Sequence, residues 1–172
     1  VAQTPAVQSL ARRMEQGGAW SCAGVSPAAQ PFFAVFLKHL FPSRSIVVVT
    51  EGLKTQESFQ QDIETWLKSA IRNPQSEGPK PQPSTPDSQP LFYPAWEILP
   101  HEAKLPHADV ISERLETLVA LSELSTLNSQ SSNLVVTSVT ALLQKTFPPD
   151  QLKNRTRTLS RGDRIDPIDL IE

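Results

Sequence analysis

The spacing of apolar residues divides the chain into alternating helical and extended stretches. Val7, Leu10, Ala11 and Met14 recur at helical intervals and predict a helix over 7–16, ended by Gly17-Gly18. Residues 20–24 read as a short strand. Ser26-Pro27 reads as N-cap and first helical position. The helix expected over 28–40 carries Phe32, Phe33, Val35, Phe36, Leu37 and Leu40, a pattern that predicts burial on more than one side. Ile46-Val47-Val48-Val49-Thr50 is a β-branched run of the buried parallel-strand type. A second helix over 55–71 sets Phe59, Ile63, Trp66, Leu67 and Ala70 on one face and Gln, Asp, Glu and Lys on the other.

Leu91-Phe92-Tyr93 resumes as a strand that Pro94 ends. A helix from Asp109, its expected N-cap, to about residue 124 groups Val110, Ile111, Leu115, Leu118, Leu121 and Leu124 on one face. Arg114 falls in the middle of that face. Leu134-Val135-Val136-Thr137 is a second buried-type strand. Ser138 caps a short helix over 139–145, which Pro148-Pro149 stops, and 150–154 adds one more turn. Residues 155–160 alternate weakly, as an exposed strand would. Gly162-Asp163 is a turn, and Asp166-Pro167 opens a last helix at the end of the chain. Strand, amphipathic helix and strand in succession predict an α/β fold: a parallel sheet with flanking helices.

Composition changes this picture in a few places. Residues 73–90 hold six prolines among Ser, Gln, Glu, Gly, Lys and Asp, which predicts an extended, disordered insertion. The net charge of −2 argues against a generic polyanion binder. The single cysteine, Cys22, excludes a disulfide framework or cysteine cluster, is expected to be a small buried thiol, and fits a reducing cytoplasm. No apolar run approaches about 18 residues, so no transmembrane helix is expected. The N-terminus lacks the basic and apolar regions of a signal peptide. Val1 in place of Met, and a helix that has run barely a turn at Glu172, predict a piece of a longer chain.

The candidate chemistry begins at Gly24–Pro31, where a P-loop would sit. A working P-loop needs a second glycine, a lysine and Ser/Thr to wrap phosphate and hold Mg²⁺. The text Gly24-Val25-Ser26-Pro27-Ala28-Ala29-Gln30-Pro31 lacks all three, and its two prolines each remove an N–H. No nucleotide or cofactor site is expected there, nor any catalytic residue. His101 and His107 lie near Glu97, Glu102 and Asp109, but their spacing matches no metal-ligand pattern. Lys153, Arg155, Arg157, Arg161 and Arg164 put five cations within twelve residues. They suit nucleic acid, an acidic partner or, more simply, a solvated edge. An arginine on an inward helix face needs a partner, and Glu97 and Glu102 are the expected carboxylates for Arg114. Arg114 would then pin the loop before its helix to the sheet.

The text from Phe92 to Glu102, Phe-Tyr-Pro-Ala-Trp-Glu-Ile-Leu-Pro-His-Glu, resembles the aromatic-Pro-x-Trp-Glu-x-Leu-Pro segment of bacterial transcription-repair coupling factor (Mfd). Asp109-Val110-Ile111-Ser112-Glu113-Arg114-Leu115 looks like the family's following helix, and Val135–Lys145 with Pro148-Pro149 like its next strand and helix. Leu159–Asp166 looks like the opening of its next domain. The resemblance implies a degenerate helicase-like domain over 1–152, similar to the first domain of the excision-repair helicase UvrB, and the truncated start of a second, UvrA-interaction domain over 153–172. It marks Pro94, Trp96, Glu97, Pro100, Asp109 and Arg114 as structural signature residues. It also implies a module that recruits UvrA and restrains its parent. The parent would bind ATP and Mg²⁺, act on RNA polymerase and double-stranded DNA, and translocate. UvrB itself is the alternative, as a nucleotide-binding fragment; it would need an intact P-loop and a tyrosine-rich hairpin, and Tyr93 is the only tyrosine.

Overall fold

A computed structural model describes residues 4–71, 89–99, 101–126, 133–157, 159–164 and 166. Most of the proline-rich stretch, Pro100 and the last expected helix lie outside these residues. The elements run α1 (Pro5–Glu15), α2 (Gln30–Leu40), β1 (Ile46–Thr50), α3 (Leu53–Ile71), β2 (Leu91–Tyr93), α4 (Ala108–Thr126), β3 (Leu134–Ser138), α5 (Val139–Leu143) and α6 (Pro149–Arg155). A single 3₁₀ turn, Pro27–Ala29, leads into α2.

The three strands form one parallel sheet in the order β1-β3-β2. The chain passes from β1 to the far edge through α3, then returns to the middle through α4. Crossovers of one hand put helices on opposite faces when the direction reverses, and two separate cores result. On one face Ala34 of α2 and Ile63 of α3 pack with Leu134 and Val136, supported by Phe59, Leu67, Ile46 and Val48. On the other, Leu118 and Leu121 of α4 pack near Tyr93, Val135 and Ala141.

Several expectations change. No strand forms at 20–24; Val25 N–H instead bonds the Cys22 carbonyl in a turn. Cys22 is exposed rather than buried. Ser26 occupies the N-cap position before Pro27, but its hydroxyl makes no capping bond. Only Pro31 and Ala34 of α2 are buried, because one sheet and one helix cover one side of it. Phe32 remains 43% exposed and meets the equally exposed Trp66 edge-on at 5.0 Å. β1 is an edge strand with an open face: Val47 and Val49 are 55% and 48% exposed. No strand forms among the described residues of 155–160; α6 runs into Arg155 and the rest is irregular. The turn at Gly162 does form, with φ of 105° and Ser160 N–H held by Asp163 Oδ2 at 2.7 Å. Ser138 caps α5 as expected, accepting from Ala141 N–H. No helix among the described residues is long and apolar enough to cross a membrane.

Candidate functional site

The densest constellation of polar contacts lies where β2 ends. Pro94 has no N–H and stops the ladder, yet it is fully buried. Its carbonyl therefore needs a donor from elsewhere. Arg114, two turns into α4 and 1% exposed, supplies it. Its Nη1 donates to Pro94 O at 2.6 Å and its Nη2 to the Tyr93 hydroxyl at 2.7 Å. The guanidinium lies 4.2 Å from the Tyr93 ring centre and 4.3 Å from that of Trp96. Burial pushes the arginine below its ordinary pKa, with Tyr93 acting in the opposite sense. Its Nε has no partner.

The expectation that Glu97 or Glu102 would answer Arg114 is corrected. Among the described residues no carboxylate reaches it; neutral acceptors and aromatic faces do. Burying a second charge would require taking that carboxylate out of water as well. The pinning itself is present, directed at Tyr93, Pro94 and Trp96.

Two residues without a sequence signal complete the clamp. Gln144, just past α5, pairs with the main chain of Trp96: Trp96 N–H donates to Oε1 at 2.6 Å and Nε2 donates to Trp96 O at 3.1 Å. Oε1 also lies 3.5 Å from Arg114 Nη1. Thr117, one turn beyond Arg114, donates to Phe92 O at 2.8 Å. β2, the following loop, α4 and the end of α5 are thus fastened at one place.

Glu97 and Asp109 meet elsewhere, around His107. The helix begins at Ala108, so His107 rather than Asp109 takes the cap position: its carbonyl accepts Ile111 N–H at 3.1 Å. Glu97 Oε1 accepts His107 N–H at 3.0 Å. His107 Nδ1 lies 3.4 Å from Asp109 N and 3.3 Å from Asp109 Oδ2. A neutral ring accepts the amide, whereas a protonated ring pairs with the carboxylate. Asp109 sits in the first turn, where the helix dipole favours a negative charge. Pro100 lies outside the described residues. Among the described residues no group of three or more His, Cys, Asp or Glu could hold a metal ion.

A second polar cluster closes the carboxyl ends of the strands. Gln56 of α3 is fully buried. Its Nε2 donates to Tyr93 O and Val136 O, both at 3.0 Å. Thr137 Oγ1 donates to Tyr93 O at 2.9 Å, and Thr50 Oγ1 to Thr137 O at 3.1 Å. In open α/β sheets this is the end where ligands bind; here the chain's own side chains take these carbonyls.

No protein-family model matches the chain, and no solved structure matches it. Two curated relatives do. A transcription-repair-coupling factor of Haemophilus influenzae is 30% identical over 74 residues, 43% of this chain and 6% of its own length. That of Rickettsia conorii is 36% identical over 59 residues, 34% of this chain and 5% of its own length. The matches thus span about a twentieth of each relative. Over those stretches the chain is similar to transcription-repair-coupling factor, the family its signature text resembles.

Proposed function

We propose that this chain is a non-catalytic module of a transcription-coupled DNA repair factor, standing at the N-terminal end of a longer parent. The observation that carries the reading is the similarity to two transcription-repair-coupling factors. On this reading residues 1–152 are a helicase-like domain, similar to the first domain of UvrB, that has lost its P-loop at Gly24–Pro31. Residues 153–172 begin the domain that recruits UvrA, with most of the contact surface beyond them. The module also packs on its parent to restrain it. The parent is the ATP-dependent, cytoplasmic translocase that binds double-stranded DNA and displaces stalled RNA polymerase. Two features support the non-catalytic assignment: Pro27 and Pro31 lack the N–H groups a phosphate cradle uses, and Gln56, Thr50 and Thr137 occupy the strand carbonyls.

In-frame removal of the coding stretch for residues 1–172 tests the role. The expected result is loss of the faster repair of transcribed strands after ultraviolet damage. Unchanged strand bias overturns it. A fluorescent-ATP titration of the chain tests the lost P-loop separately; binding tighter than millimolar would favour the nucleotide-binding alternative.

A further inference from the structure

α4 buries Arg114 and Thr117 fully and its apolar residues only in part. Arg114 and Thr117 are each 1% exposed, whereas Ile111, Leu115, Leu118 and Leu121 are partly buried, the last two with one side against the core. Three hollows of about 240, 520 and 280 Å³ lie along this stripe. Leu118 lines all three, and Leu121, Thr146 and Phe147 each line two. They form one trough that follows α4 from Ile111 to Glu123, about 18 Å at a helical rise of 1.5 Å per residue. The other wall is also apolar and open: Leu142 is 55%, Phe147 41% and Val47 55% exposed. A continuous apolar patch of this kind marks an interaction surface.

Charge narrows the occupant. Lys145 lines the first hollow, with no carboxylate among the described residues that line it. At the other end Lys153 lines the second, beside Glu123 and Asp150. Arg155 and Arg157 follow Lys153, both exposed. Among the described residues neither the Lys68–Glu64 ion pair nor the His107–Asp109 contact engages any of these four cations. We propose that the trough docks an amphipathic helix of about three turns, apolar at i, i+4 and i+7 and acidic along its flanks. Three turns match the length of the trough. The apolar stripe covers Leu118, Leu121 and Leu142, and the carboxylates meet Lys145 at one end and Lys153 to Arg157 at the other. A basic helix would be repelled by Lys145 at the first end, whereas at the second Glu123 and Asp150 offset Lys153 and leave Arg155 and Arg157 as the net charge. A nucleic acid would bring phosphates to the cations but no apolar surface to the hollows.

The test uses the full 172-residue chain and a synthetic helical peptide of about 18 residues, long enough to hold helix in water. The peptide carries leucine at the anchor positions and glutamate beside them. Trp96 lines the first hollow, so its fluorescence in a Trp20→Phe, Trp66→Phe background reports occupancy. Saturable binding is expected, weakened by salt and about tenfold weaker for the same peptide with lysine for glutamate. The Lys145→Glu, Lys153→Glu double variant, altered only at exposed positions, should also lose about tenfold with its melting unchanged. Should that variant not fold, the charge-swapped peptide decides alone. Equal affinity for the two peptides overturns the proposal. So does displacement of the peptide by a DNA duplex, or a dimer in sedimentation that Leu142→Glu dissolves and that excludes the peptide.

Discussion

Replacing Arg114 with Met leaves a side chain of similar length and no donor. Pro94 O and the Tyr93 hydroxyl, now bonded at 2.6 and 2.7 Å, would both lose a charged partner. Each buried group so orphaned costs about 1–3 kcal/mol. The two ring contacts, at 4.2 and 4.3 Å, contribute about 1–2 kcal/mol more. One effect opposes these. The native state holds a buried cation without a carboxylate, and an apolar replacement relieves that desolvation. The orphaned acceptors win, because Pro94 is fully buried and its carbonyl finds no water. The expected net loss is about 2–3 kcal/mol, a fall in Tm of roughly 6–9 °C for a chain of this size. Calorimetry measures it, and a double-mutant cycle with Tyr93→Phe should show coupling of about 1 kcal/mol. Arg114→Lys should rescue little, since one ammonium cannot reach both acceptors in the planar geometry of the fork. The loss should be flat across neutral pH: even with its pKa lowered by burial, the guanidinium stays charged there in both folded and unfolded states. Unchanged melting of Arg114→Met, or full rescue by Lys, would refute the clamp.

Gln56→Glu should destabilise the chain by about 3 kcal/mol or more near pH 7, because a carboxylate would face the Tyr93 and Val136 carbonyls in a buried site. Its folded pKa would be raised, so that stability is present at acid pH and lost as pH rises; a flat pH–melting curve contradicts this. Glu113 has its pKa raised above the usual 4.5 by burial first, then by Asp109, Glu116 and Glu57. The same sign applies: its ionisation removes stability as pH rises through the raised value. Glu113→Gln should therefore raise Tm at neutral pH, with the gain vanishing below the ordinary glutamate range; a gain that persists there would exclude this cause. Ser138→Ala removes the cap of α5 and should cost about 1 kcal/mol by urea titration.

The elements were legible in the sequence wherever one face repeats at one period. The β-branched runs at Ile46–Thr50 and Leu134–Ser138 are parallel strands, and α3 and α4 begin within two residues of their expected starts. Burial was less legible because it depends on neighbours distant in the chain. Val47 and Val48 look alike in text, but an edge position with no helix over one face leaves Val47 open. A two-residue shift at the start of α4 transfers the cap from Asp109 to His107. Arg114 was visible as an anomaly, and its partners were not: the nearby glutamates are conspicuous as charges, while a proline carbonyl carries no sequence signal. Gln56 and Gln144 resemble any surface glutamine. Their roles arise only once the strand ends lie beside them.

The proline and the arginine of the signature explain each other. β2 lies at the edge of the sheet and is bonded by β3 until a residue without N–H interrupts it. Pro94 does so one residue past Tyr93, inside the core rather than at the surface. That position needs a donor arriving from outside the sheet, and the helix that returns over β2 is the nearest source. A short polar residue on α4, such as Thr117, reaches Phe92 O but lies a turn further along. Only a long side chain with several divergent N–H groups spans both the proline carbonyl and the tyrosine hydroxyl. The aromatic rings of Tyr93 and Trp96 then shield the charge that such a donor brings. A cluster rich in functional groups thus follows from ending a strand at a proline within a core, and its density reflects hydrogen-bond satisfaction rather than reactivity.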